Sequence, residues 1–214
     1  MAWDFDGTDD YIEAALGANY DVPKTLACWF NSDTTNANKT LVALAAGSIT
    51  EDLSPALRIQ ITSTGVVQAV TSSGTGSNGI ASGGSYASGT WHHAAGKFES
   101  SSSRYAYLDG IVGIQGTATR ATGGALDNHL IGQGSGGNNP AQPFNGRIAE
   151  VAIWDVALND DEIASLAKGF RPDMIRPSKL LFYLPLVREV QDVRSGLTYT
   201  NSATAVAIHP RRIG

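Results

Sequence analysis

Tyr105-Ala106-Tyr107-Leu108-Asp109-Gly110-Ile111-Val112-Gly113-Ile114 places an apolar run on either side of an Asp-Gly pair. Asp-Gly tolerates the positive φ values that a two-residue hairpin turn demands, so this stretch predicts a strand, a tight turn and a returning strand. The same grammar continues in both directions. Upstream, Trp91-His92-His93-Ala94-Ala95-Gly96-Lys97-Phe98 reads as a strand, and residues 72–89 form a Gly/Ser-rich stretch expected to be a long surface loop. Leu57-Arg58-Ile59-Gln60-Ile61 and Val66-Val67-Gln68-Ala69-Val70 alternate with period two, the mark of strands with one face in a core. Thr40 to Ala46 is another apolar run, and Leu26-Ala27-Cys28-Trp29-Phe30 has the near-continuous apolarity of a central strand buried on both faces. At the start, Trp3-Asp4-Phe5-Asp6-Gly7 and Tyr11-Ile12-Glu13-Ala14 read as strand, turn, strand.

Downstream, His129-Leu130-Ile131-Gly132 is a short strand, and a Gly/Asn/Pro loop leads to the strand Arg147 to Trp154. One helix is expected near 159–168. Asn159 and Glu162 have capping-box spacing, Asp160 and Asp161 suit the positive first turn, and Gly169 ends the apolar stripe of Ile163, Leu166 and Ala167. Beyond it the chain changes character. Pro172, Pro177 and Pro185 interrupt it around the apolar run Leu180 to Leu184. The expected division is a body, residues 1–169, and a C-terminal arm, residues 170–214, which adds a strand to its own sandwich or to a neighbour.

Composition agrees with an all-β chain. Its 214 residues include 24 glycines, are 42% hydrophobic and only 16% charged, which suits one core with many turns. The single cysteine, Cys28, excludes an internal disulfide. No apolar run reaches the roughly 18 residues of a membrane helix. Met1 to Gly7 lacks the basic and apolar regions of a signal peptide, so none is expected. The net charge of −5 is unevenly placed: residues 1–167 carry −10 and residues 168–214 carry +5. A basic tail on an acidic body either docks on an acidic neighbour or folds back onto its own body.

The search for catalytic chemistry finds little. Retaining glycosidases need two carboxylates about 5 Å apart, and no Glu-x-Asp-x-Glu motif is present to supply them. The acidic clusters fall in a turn and at a helix start. Asp6, Asp9 and Asp10 are the candidate ligands if the first turn holds Ca²⁺, although their spacing is not that of an EF-hand loop and a solvated turn is the favoured reading. Two GxGxxG matches, from Gly74 and from Gly132, open no amphipathic helix. His92 and His93 are neighbours on a strand and point to opposite faces, so they do not share a ligand. An acidic body argues against nucleic acid. The expectation is a non-enzyme without a required cofactor.

Phe5-Asp6-Gly7, Thr25 to Phe30, Gly89-Thr90-Trp91-His92-His93-Ala94-Ala95, Tyr107-Leu108-Asp109-Gly110, Phe144 to Trp154 and Leu158 to Gly169 together resemble the laminin-G-like, concanavalin A-like jelly roll. The resemblance covers roughly residues 3–169. It implies a two-sheet antiparallel jelly-roll sandwich with one short helix, of a kind that binds glycans or proteins, some members with Ca²⁺. The tail, Leu181 to Leu186 with Asp192, Gly196 and His209-Pro210-Arg211-Arg212, resembles the ends of laminin-G-like proteins of tailed bacteriophages.

Two functional expectations follow. The first is a capsid decoration protein on the virion surface, made in the host cytoplasm, with the major capsid protein and copies of itself as partners. Its arm contacts would be Arg171, Arg176, Lys179, Arg188, Arg211 and Arg212, with Phe182 and Tyr183 as apolar anchors. The second is a glycan-binding adhesion module of a tail fibre or cell surface, with Tyr86, Asn138 and Asn139 as contacts and surface glycans as partners. Trp29, Trp91 and Trp154 are expected in the core, and Trp3 is left open.

Overall fold

The computed structural model describes residues 2–35, 37–47, 56–73, 78–120, 126–135, 140–186, 192–197, 199–201 and 205–207. The strands are β1 (Ala2–Asp6), β2 (Ile12–Tyr20), β3 (Lys24–Ser32), β4 (Lys39–Ala45), β5 (Ala56–Ile61), β6 (Val66–Ser72), β7 (Asn78–Ser85), β8 (His92–Ser100), β9 (Ser103–Leu108) and β10 (Ile111–Val112). They continue with β11 (Leu126–Ile131), β12 (Gly134–Ser135), β13 (Pro140–Ala141) and β14 (Asn145–Trp154), then helix α1 (Asp160–Ala167), β15 (Leu180–Leu184), β16 (Thr200–Asn201) and β17 (Ala205–Ala207). One sheet runs β10-β9-β8-β3-β14-β1-β17, with β15 also on β14; the other runs β16-β2-β11-β4-β5-β6-β7; β12 and β13 form a small ribbon. All the pairings are antiparallel, and the two sheets form a sandwich.

Alternation builds the central core. Leu57, Ile59 and Ile61 of β5, Val67 and Ala69 of β6, and Leu26, Cys28 and Phe30 of β3 all point between the sheets. A second core lies on the outer face of the first sheet. There Ala27, Ala95 and Ala152 are small enough to let α1 lay Ile163 and Leu166 against Tyr107 and Trp154. The helix starts as its sequence requires. The Asn159 side chain accepts from Glu162 N, and Glu162 Oε2 accepts from Asn159 N, a reciprocal cap typically worth about 1 kcal/mol. Asp160, in the first turn, accepts from Tyr107 Oη at 2.7 Å and Lys97 Nζ at 3.0 Å. Those two bonds hold its carboxyl below the ordinary range.

The hairpin forms as expected. Asp109 and Gly110 both have positive φ, 52° and 81°, between β9 and β10. Residues 113–116 then cross toward the other sheet, with single bridges of Ile114 to Ser82 and Gly116 to Arg104.

One expectation needs correction. The Gly/Ser stretch is no surface loop, because residues 78–85 form β7, paired along β6. Three of its residues are glycines, and at Gly79 the reason is packing: a Cβ there would collide with the guanidinium of the fully buried Arg104. The tail takes the first of its two expected places and adds strands to its own sandwich. β15 lies antiparallel on β14, β16 pairs with β2, and β17 pairs with β1. Leu184 and Phe182 enter the central core, and Leu180 and Tyr183 enter the second one.

Candidate functional site: an outward tryptophan face

The registers of four strands assemble a polar-aromatic patch on the outer face of the first sheet. On β3, Cys28 and Phe30 point inward, so Trp29 and Asn31 point outward. Trp29 stands opposite His93 on β8 and Ala149 on β14, and Asn31 stands opposite Arg147. On β1, Trp3 and Phe5 fill the core, leaving Asp4 outward beside Arg147. Trp91 immediately precedes β8, and alternation from His93 carries it to the same face.

Trp29 and Trp91 are half-buried, each keeping part of its ring in solvent. Trp29 packs edge-on against His93, with ring centroids 5.5 Å apart. Asn31 is nearly buried, and its Oδ1 has no hydrogen-bond partner among the described residues. His93 Nδ1 is in the same condition. Burial pushes the His93 pKa down to about 4 against the opposing field of Asp109, so the ring is neutral near pH 7. Arg147 reaches Asp4 Oδ1 with Nε at 3.7 Å and Asp33 Oδ1 with Nη1 at 3.4 Å. Burial raises the Asp4 carboxyl; Arg147 opposes that rise and Asp33 adds to it. Partly exposed aromatic rings beside a few fixed polar groups suit an uncharged polyhydroxyl ligand: the rings take its apolar face and the side chains its hydroxyls.

A second cluster looks like chemistry but is structural. His92 Nδ1 lies 2.8 Å from Asp109 Oδ2, and its Nε2 lies 2.9 Å from Thr90 Oγ1. That chain has the order of a nucleophile, a base and an orienting acid. However, Thr90 Oγ1 also donates to Ala87 O at 3.0 Å, Ala87 N donates to His92 Nε2 at 3.3 Å, and Asp109 Oδ1 accepts from His93 N. The network closes on the backbone and staples the turn before β8 to the hairpin.

Asp6, Asp9 and Asp10 do come together, with one carboxylate oxygen from each within 4.8 Å of the others. The all-oxygen donor set fits Ca²⁺ in kind. Yet Asp6 Oδ1 accepts from Thr8 N and Asp10 Oδ2 from Asp6 N, so turn bonds hold two of its three members. Burial raises the Asp10 carboxyl above the ordinary carboxylate range, the Asp6 backbone bond opposes this, and the neighbouring acids add to it.

The residues expected to bind partners lie elsewhere. Tyr86 is a correction: it is buried, packs edge-on against Phe30 at 5.2 Å, and donates its hydroxyl to Thr34 O at 3.1 Å, so its ring presents no face to a sugar. Phe182 and Tyr183 are a second correction. Both are buried in their own chain, and the Tyr183 hydroxyl donates to Glu150 Oε2 at 2.5 Å. Arg171 pairs with Asp173 and Arg176 with Glu162, both at 2.5 Å, while Lys179 is exposed. Arg188, Arg211, Arg212, Asn138 and Asn139 lie outside the described residues. Trp3 and Trp154 are interior as their patterns suggest. Trp29 and Trp91, expected in the core, are the residues that face out. The one sequence signal for this is the polar Asn31 two positions after Trp29, on the same side of the strand.

Comparison with known proteins agrees with this architecture. A heptameric SAP-like pentraxin from Limulus polyphemus superimposes with a TM-score of 0.64 at 14% identity, over 95% of this chain and 92% of that one. The CBM40 domain of a Ruminococcus gnavus IT-sialidase, bound to α2,3-sialyllactose, gives a TM-score of 0.61 at 15% identity, over 78% of this chain and 98% of that one. Domain 4 of AbnA, an extracellular arabinanase from Geobacillus stearothermophilus, in complex with arabinotriose, gives 0.58 at 19% identity, over 78% and 76%. Among curated sequences, a Rattus norvegicus protein with sushi, von Willebrand factor type A, EGF and pentraxin domains is 31% identical over 102 residues. That match takes in 43% of this chain and only 3% of the rat protein. Residues 6–164, well over half of the chain, match the family model Laminin_G_3, and the chain belongs to that family, the concanavalin A-like lectin/glucanases superfamily.

Proposed function

We propose that the chain is a non-catalytic carbohydrate-binding domain that takes a neutral sugar on the Trp29–Asn31–Trp91 face. One observation carries this reading: two half-buried indoles turn outward on one sheet face that also holds Asn31 and Arg147. Arg147 sits between Asp4 and Asp33, so the patch offers no uncompensated positive charge and suits an uncharged ring. Similar folds solved with sialyllactose and arabinotriose give support in kind.

A glycan array followed by calorimetry tests it. The native chain should bind a neutral oligosaccharide saturably and leave its length unchanged. Trp29→Ala and Trp91→Ala should each weaken binding at least about tenfold, by analogy with the roughly 1–3 kcal/mol lost when an aromatic stacking platform is truncated. An array with no saturable neutral ligand would sink the proposal. A virion-surface setting, with capsid protein and sister copies as partners, is a separate proposal about where the domain sits. Immunogold label over phage heads would support it, and label elsewhere, or none, would remove it.

A further inference from the structure

On the opposite sheet lies a cation with no counter-charge among the described residues. Arg58 sits mid-way along β5 between Leu57 and Ile59, both core residues, so alternation turns it to the outer face of the seven-stranded sheet. It is nonetheless only 8% exposed. Its cross-strand neighbours are Ala43 on β4 and Val70 on β6, and its neighbours along β5 on that face are Ala56 and Gln60. None of these carries a charge. Arg58 Nε donates to Gln60 Oε1 at 2.9 Å, and Gln60 Nε2 donates to Gln68 Oε1 at 2.9 Å. This bond and the bond relay behind it fix the guanidinium plane. The two terminal nitrogens have no partner among the described residues, and burial alone lowers the pKa of the group. An arginine stays charged even so.

A nearly buried, unpaired guanidinium is costly, and a chain gains nothing in stability from keeping one. The neighbours give no structural reason for the charge either: methionine would fill the same space among two alanines, a valine and a glutamine. What the arrangement does provide is a planar fork with its Nε already committed and four N–H donors left on the two terminal nitrogens, two of them parallel. That geometry matches the two oxygens of a carboxylate. The amides of Gln60 and Gln68 lie beside it in the same row and suit the hydroxyls next to such a group.

We propose that Arg58, oriented by Gln60 and Gln68, forms an anion-reading subsite for a carboxylate-bearing sugar, separate from the tryptophan face. It lies on the other sheet and does not depend on the neutral-sugar reading.

The test uses the full chain and calorimetry with three oligosaccharides of equal length: an oligogalacturonate, a neutral galacto-oligosaccharide and a sulfated galacto-oligosaccharide. The native chain should bind the galacturonate saturably, with affinity falling as salt rises. Arg58→Met should weaken that binding at least about tenfold, the usual loss for one charge-assisted bidentate contact, and should leave neutral-sugar binding and melting temperature no lower. Arg58→Lys, which keeps the charge but loses the fork, should fold normally and also lose galacturonate affinity. Trp29→Ala should leave the galacturonate isotherm unchanged, which separates failure of one site from failure of the other. The proposal is overturned by absence of galacturonate binding to the native chain, by equal binding to Arg58→Met, or by equal affinity for the sulfated ligand. Loss of fold in both Arg58 variants would overturn it too, since that outcome makes the residue structural.

Discussion

A chain ending at Lys168 will not hold the native fold. The cut removes β15 from β14, β16 from β2 and β17 from β1, so both sheets lose hydrogen-bonded neighbours. It also removes Leu180, Phe182, Tyr183, Leu184 and Leu186, all buried. Each such side chain contributes roughly 1.5–3 kcal/mol by burial, and five of them reach the order of 10 kcal/mol. Whole domains of this size are stable by about 5–15 kcal/mol. Polar groups lose bonds as well: Glu150 loses the Tyr183 hydroxyl, and His129 loses its 2.8 Å bond to the Tyr199 hydroxyl. Circular dichroism melts and amide proton dispersion should show a collapsed or unfolded chain at 25 °C. A cooperative melt near that of the full chain would show that the tail is dispensable for folding, and would restore the idea of a detachable arm.

Mild acid should destabilise the protein through two histidines. His93 and His129 are both buried, and burial lowers their pKa values to about 4 and about 3 from an ordinary 6.5, with Asp109 and Asp192 opposing the shifts in part. The sign follows from proton counts. Below pH 6.5 the unfolded chain takes up a proton at each imidazole while the native chain refuses it. Stability therefore falls as pH falls, by about 1.4 kcal/mol per pH unit for each histidine. The loss runs from 6.5 to about 4 for His93 and to about 3 for His129. Around His129 stand the Phe182 ring at 5.7 Å and the Tyr199 ring at 5.6 Å, centroid to centroid, and Asp192, the one charge that opposes the shift. Asp4 and Asp10, whose carboxyls are raised, act in the opposite sense but only nearer the carboxylate range. Urea denaturation at pH 7.0, 6.0 and 5.0 should show the decline. In a His93→Gln, His129→Gln chain the slope over that interval should flatten, whatever its starting stability. An unchanged slope would mean that other groups govern acid unfolding.

The legible parts of this sequence were those whose causes are local. The Asp109-Gly110 turn and the Asn159–Glu162 cap are set by residues within four positions of one another, and both form as read. The parts that escaped depend on distant neighbours. β7 has the composition of a loop, and its glycines are explained only by distant neighbours, Arg104 against Gly79 and Leu108 against Gly84. The run Leu180 to Leu184 announces burial but not against what, and β14, some thirty residues earlier, supplies the answer. Trp29 was assigned to the core because a continuous apolar strand suggests cover on both faces. In fact α1 covers that face only along Ala27, Ala95 and Ala152, and the cover stops short of Trp29 and Asn31. Arg58 looks like an ordinary wet residue of an alternating strand, and its burial, with no counter-charge among the described residues, is visible only in three dimensions.

The crossing of residues 113–116 has a consequence for how the protein behaves in a crowd. β10 ends one sheet and β7 ends the other, and open strand edges of this kind invite pairing with a second chain. Ile114 and Gly116 lay one segment across the margin, exchanging backbone hydrogen bonds with Ser82 on β7 and Arg104 on β9. It fits that closely only because Gly113 and Gly116 have no Cβ, which would sit inside van der Waals contact with the carbonyls of Ser82 and Ile80. The segment is a selvedge: it finishes the open border of the sandwich so that the weave neither frays nor is stitched to the next molecule, even with Ile111 and Ile114 standing in water beside it.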